Sequence, residues 1–202
     1  MIASFFRLIS YIFHPIFVAM AGTISYFLVT PKYTPMQVKS GNILPIFILS
    51  IIIPIISFFI LKSLGMVSSI FLRNKTERTY PLLISVGLLI MILTKVIPNN
   101  YIIELYYFFL GLLAATITCL FLLLIRFKTS LHMMGIGTIL MYLICLSIHF
   151  ERNIVIAISC MILASGLVAT ARIFLKAHTR AELLIGLMIG MTSQLLTIKF
   201  WL

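Results

Sequence analysis

Apolar runs near the length of about 20 residues that crosses the hydrocarbon layer of a bilayer follow one another along this chain. They cover approximately 8–29, 43–61, 81–97, 102–125, 131–148, 154–175 and 180–201. The runs are continuously apolar, without the alternation of a half-buried strand, and an open sheet edge cannot face lipid. The expected fold class is therefore all-α, a polytopic transmembrane helical bundle of about 6–7 spans. Runs 3 and 5 are short for full crossings, so the count stays open by one.

Little chain is left over for anything else. Only 9% of residues are charged and the mean hydropathy is +1.22, whereas a soluble domain carries roughly 25% charged residues. A single transmembrane domain covering residues 1–202 follows. Arg7, the apolar stretch after it and Ala19-Met20-Ala21 resemble a cleavable signal peptide, but the run continues to Val29, so a retained first helix is expected.

The connections carry breakers and charge. Thr30-Pro31 opens a polar loop expected to reach Asn42, and Pro98-Asn99-Asn100 is a tight turn. Residues 61–80 form the longest connection, part of it expected in the membrane interface. The net charge of +11 resides in such joints. With no basic domain or tail to lie along a duplex, nucleic acid is excluded as a partner, and lipid head groups or another anion are expected. Cys119, Cys145 and Cys160 lie inside apolar runs, where they read as small packing residues.

Seven alternating spans place the loops 61–80, 126–130 and 176–179 at one membrane face, side A. That face holds Arg73, Lys75, Glu77, Arg78, Lys128, Ser130, His132, His178 and Glu182. Side B holds Lys32, Lys39, Lys95, Glu104, His149, Glu151 and Arg152 without visible pattern. Runs 3, 5 and 7 begin on side A, with Pro81, Thr129 or Ser130, and Thr179 as helix openers. Their N-terminal N–H groups, ringed by Arg and Lys, point to an anion site suited to phosphate.

The sharpest pattern is Ala171-Arg172, five residues, His178, three residues, Glu182. Upstream lie Thr129-Ser130-Leu131-His132 and the stretch from Arg73 to Pro81. In this order the chain resembles a divergent member of the type 2 phosphatidic acid phosphatase superfamily, over roughly Arg73 to Glu182. That family has Ser-Arg, five residues, His, three residues, Asp as its third motif. Its second motif is Pro-Ser-Gly-His, and its first is Lys, six residues, Arg-Pro. Here Ala171 replaces Ser and Glu182 replaces Asp; Leu131 replaces the Gly, and Arg78 stands three residues before Pro81.

The resemblance implies an enzyme, an integral membrane lipid phosphatase, cleaving a phospholipid phosphate or an isoprenoid (di)phosphate through a phosphohistidine. No metal and no cofactor are implied, and a membrane lipid is the substrate. His178 would be the nucleophile, Glu182 the acid that orients it, and His132 the proton donor and later the base. Arg172, Arg78, Arg73, Lys75 and Ser130 would bind the phosphate oxygens. The implied location is a bacterial inner (cytoplasmic) membrane. Arg172 and His178 can share a phosphate only if the chain breaks between them, which is expected near residues 176–179.

Other readings of the same residues stand beside this one. Thr179-Arg180-Ala181-Glu182 is a capping box, which would spend Glu182 on backbone. His14, His132, His178 and Glu182 are the natural metal ligands, opposed by the surrounding Arg residues. His14, followed by Pro15, is expected to begin the first helix on side A, near enough to join the site. A lipid-binding or transport protein that kept the fold and lost the chemistry is the alternative from another class. Setting Arg172 aside, nine Lys and Arg fall on side A and five on side B. That count favours a cytoplasmic side A, although phosphate ligands contribute to it, and the orientation stays open.

Overall fold

The computed structural model describes residues 2–68, 75–98 and 102–202, with residues 75 and 76 in the backbone only. It is 81% helical. Among the described residues, seven helices are long and apolar enough to span a membrane, so the chain is an integral membrane protein. They are α1 (Ile2–Val29), α2 (Met36–Ser63), α3 (Glu77–Val96), α4 (Ile103–Leu124), α5 (Leu131–His149), α6 (Val155–Phe174) and α7 (Arg180–Ile198).

Two spans run further than the hydropathy pattern suggested. The loop after Thr30 ends at Pro35, and α2 starts at Met36 instead of near residue 43. Asn42 does not stop the helix, because its Nδ2 donates to the Val38 carbonyl one turn back, at 2.8 Å. The first span begins at Ile2, not residue 8, and it is broken in the middle. Pro15 pushes the residue before it out of the helical region, and His14 is extended, with φ −67° and ψ 138°. A short 3-10 turn, Pro15–Phe17, then restarts the span as Val18–Val29. His14 therefore does not begin the helix; it sits at the break.

The bundle is organised around α5, which is buried along most of its length. It packs closest on α7, and α4, α6 and the second half of α1 also touch it. Small residues set the α5–α7 distance. A Cβ added at Gly190 would fall 2.1 Å from the Met134 carbonyl oxygen and 2.7 Å from the Thr138 nitrogen. One added at Gly186 would fall 2.5 Å from the Ser130 carbonyl oxygen, and one at Gly137 2.4 Å from that of Leu187. The four-residue spacing of Gly186 and Gly190 thus brings backbone against backbone, as small residues do between membrane helices.

The side A loops are tied together as alternating spans require. Ser130 N–H donates to the Glu182 carbonyl at 3.1 Å, and Lys128 Nζ to the Ala177 carbonyl at 3.2 Å. Arg78 Nη1 lies 3.4 Å from the Thr129 carbonyl. Side B is not the scatter that the sequence suggested. Glu104, 1% exposed, forms an ion pair with Lys32, and His149 Nε2 stands 3.3 Å from the same carboxylate oxygen. The Lys32 ammonium also lies 5.6 Å from the Phe150 ring centre, and Trp201 packs on His149.

Candidate functional site

A cavity of about 560 Å³ opens between α1, α2 and α3 and ends in a polar cluster. His14, Arg78, His132, Arg172 and His178 line that end. Its remaining wall is mostly apolar, with Phe58 and Phe59 of α2, Leu82 and Leu89 of α3, and Leu112 of α4. Four of the site residues read from the sequence, His132, His178, Arg172 and Arg78, thus meet at one cavity. They come from α3, α5, α6 and the α6–α7 loop.

The expected break between Arg172 and His178 has a definite form. Helix α6 ends at Phe174, and Lys176 enters the left-handed region at φ 51°. There Ala177 N–H reaches back to the Arg172 carbonyl at 3.0 Å and Lys176 N–H to that of Ile173 at 2.9 Å. The chain reverses over residues 175–179, and the side chains at 172 and 178 face the same space.

His178 is held from behind. Its Nδ1 lies 2.7 Å from Glu182 Oε2, and its side chain is 1% exposed. The carboxylate accepts, so Nδ1 carries the hydrogen and the lone pair lies on Nε2. Burial, with the positive charges of Arg78, Arg172 and Lys128 added to it, pushes the His178 pKa down to about 2. The ring is neutral, as a nitrogen nucleophile must be. The same Glu182 oxygen accepts from Thr179 N–H at 3.3 Å, and Thr179 Oγ1 accepts from Glu182 N–H, completing the capping box. Both roles foreseen for Glu182 are present together, on one oxygen.

Arg172 is the most exacting member. It is 4% exposed, its Nε has no hydrogen-bond partner, and it makes no ion pair among the described residues. A buried guanidinium that faces a cavity has the charge and the donors to hold an anion. Arg78, also buried, faces the same space.

The two further histidines are oriented by backbone. His132 Nε2–H donates to the Ser10 carbonyl at 3.1 Å, leaving Nδ1 to its other side. His14 Nδ1 accepts from Ile16 N–H at 3.3 Å, leaving Nε2. The two rings meet edge to face with centres 5.5 Å apart. His14 belongs in the site. The sequence already puts it near enough to join the site; what the sequence pattern missed is the break that Pro15 makes within the span.

Other expected ligands fall elsewhere. Ser130 is fully buried and does not line the cavity; its hydroxyl caps α5, accepting from Met133 N–H at 3.4 Å. The first-turn donors of α5 and α7 are in part spent on these caps. Arg73 lies outside the described residues, as does the side chain of Lys75. Among the described residues no group of three or more His, Cys, Asp and Glu side chains could hold a metal ion.

Compared with known proteins, the chain matches no family model, no curated protein and no solved structure.

Proposed function

We propose that this membrane protein is a lipid phosphatase, with the phosphate held by Arg172 and Arg78 and the lipid chain lying in the apolar part of the cavity. The observation that carries the reading is the juxtaposition of His178, backed by Glu182, with the buried Arg172, whose Nε has no hydrogen-bond partner among the described residues, at the polar end of an apolar cavity. In the reaction, His178 Nε2 attacks phosphorus as the ester P–O bond breaks. Negative charge on the bound phosphate favours a protonated imidazole nearby, and His132 gives that proton to the departing lipid oxygen. Water, losing its proton to the same ring, then attacks the phosphohistidine and releases inorganic phosphate. The guanidinium groups neutralise the non-bridging oxygens throughout, which is the main demand of a loose phosphoryl transition state. The motif order around Arg172, His178 and Glu182, similar to that of the type 2 phosphatidic acid phosphatases, supports the same assignment.

One observation favours a second reading, a lipid-binding protein without turnover. Ser130 N–H donates to the Glu182 carbonyl, and its hydroxyl, which accepts from Met133 N–H, lies off the cavity, so the neutral donors implied by the resemblance are not offered to a phosphate there. The test is phosphate release in detergent from phosphatidic acid, phosphatidylglycerophosphate and undecaprenyl diphosphate, comparing wild type with His178→Ala. Release by the wild type that His178→Ala abolishes supports the enzyme. Release that survives the substitution removes the nucleophile, and a silent wild type that still binds these lipids selects the binding protein.

A further inference from the structure

The apolar arm of the cavity carries one polar feature that the proposed phosphate chemistry does not use. Span α2 has Pro54 near its middle. Proline brings no N–H, and its ring crowds the carbonyl four residues earlier, which here belongs to Ser50. The helix widens there into a π-turn, Ile48–Ile52, a form that recurs at functional sites. Ser50 lines the cavity, and its hydroxyl is buried with no hydrogen-bond partner.

Neighbouring hydroxyls behave differently. Ser10, Ser85 and Thr116 line the same cavity, and each donates to the carbonyl one turn back, at 3.0, 2.8 and 2.7 Å. That is the ordinary fate of a hydroxyl in a membrane helix. Ser50 has lost it. The π-turn packs against α3 and against the Pro15–Phe17 turn that follows His14, which puts Ser50 in the cavity wall beside that turn.

We infer that Ser50 is a hydrogen-bonding subsite for an ester carbonyl at the head-group end of an acyl chain. The lipid that fits is then an ester-linked acylglycerol phosphate in preference to a polyprenyl phosphate. The inference rests on reading the cavity as a lipid phosphate site. A polyprenyl chain is hydrocarbon from its first carbon onward and leaves the Ser50 hydroxyl as it is, buried and unpaired. An ester carbonyl accepts from it, while the phosphate meets the arginines.

The test compares dioleoyl phosphatidic acid, its dialkyl ether counterpart and undecaprenyl phosphate, binding to the full chain in detergent, for wild type and Ser50→Ala. The ester lipid is expected to bind the wild type roughly three- to tenfold more tightly than the ether lipid, the worth of one neutral hydrogen bond, and Ser50→Ala should erase the difference. If Ser50→Ala melts early, Ser50→Cys keeps the volume with a much weaker donor and carries the same expectation. An ester preference that is absent in the wild type, or that survives both substitutions, overturns the subsite while leaving the phosphate reading intact. A wild type that binds none of the three lipids overturns the phosphate reading itself, and the subsite with it.

Discussion

Replacing Arg172 by Met should make the ligand-free protein more stable and the ligand-bound protein far less responsive. Arg172 is buried, with Nε unpaired, and no carboxylate among the described residues forms an ion pair with it. Leaving a buried donor unsatisfied costs about 1–3 kcal/mol, and Met fills most of the same length with apolar, adaptable atoms. At about 2–4 °C per kcal/mol for a chain of this size, a relief near 2 kcal/mol raises the melting temperature by roughly 4–8 °C. Lipid phosphate at about 100 times its Kd stabilises the wild type by about 2.7 kcal/mol. Loss of two charge-assisted hydrogen bonds, about 3 kcal/mol, brings the same concentration to near the variant's own Kd, where the gain is only about 0.4 kcal/mol. The assay is a fluorescence melt in detergent with and without dioleoyl phosphatidic acid. Trp201 is the only tryptophan, buried at side B, so it reports the bundle and not the cavity. An Arg172→Met protein that melts below the wild type without ligand, or that keeps the full ligand-induced shift, refutes the argument.

Packing, charge and pH give the remaining expectations. Gly190→Ala drives a Cβ into two backbone atoms of α5 and should cost about 2–3 kcal/mol in detergent melts. Gly166→Ala, with nothing within 4 Å, should be neutral or stabilising by about 1 kcal/mol, and equal effects would discount the α5–α7 contact. At side B, Lys32→Met should cost about 3 kcal/mol by stranding the buried Glu104, more than Glu104→Gln at about 1 kcal/mol, since Lys32 is 55% exposed and can turn to water; the reverse order in denaturant titrations refutes this. His178 has a folded pKa of about 2, below its unfolded value near 6.5, so the unfolded chain binds the extra proton. Stability should therefore be level above pH 6.5 and fall below it, by at most about 1.4 kcal/mol per unit, and His178→Gln should remove that part of the slope. Glu182→Gln keeps an amide oxygen for the cap and the ring but removes the charge; its melting temperature should stay within a few degrees while phosphate release falls about a hundredfold, and unchanged release would confine Glu182 to capping.

How much of this could be read in advance depended on how local each cause is. The spans follow from hydropathy, and the caps at Ser130 and Thr179 from three-residue patterns, so both were legible. The reversal after Arg172 was expected from the need to turn, although its left-handed residue is a Lys and not the usual Gly. His14 was misplaced because hydropathy draws a span where polar residues stop, whereas Pro15 sets the actual break. The side B cluster was invisible for another reason. Lys32 and His149 reach Glu104 across 72 and 45 residues, and no short pattern announces such a pair. Ser50 was not legible, because Pro54 marks a disturbed turn but not which hydroxyl the π-turn leaves unpaired.

Two kinds of contact hold the two ends of the molecule, and the difference bears on what the cavity is for. Side B gathers a carboxylate, an ammonium, a histidine and aromatic rings into a cluster whose charges meet. Side A brings Arg78 and Arg172 to one cavity with three imidazoles, and the carboxylate beside it, Glu182, is already committed to His178 and to the cap of α7. The glycine contacts between α5 and α7 fix this arrangement from below, since Gly186 abuts Ser130 and that residue also binds the Glu182 carbonyl. A chain with so few acids could have spent one on Arg172. It instead keeps a buried positive charge without a carboxylate among the described residues, and on the reading proposed above the lipid phosphate is its partner, so that ligand binding recovers the cost to stability. If the phosphate reading holds, that energy is the signature of a site built for an anion, and the apolar arm behind it accounts for the anion's lipid chain.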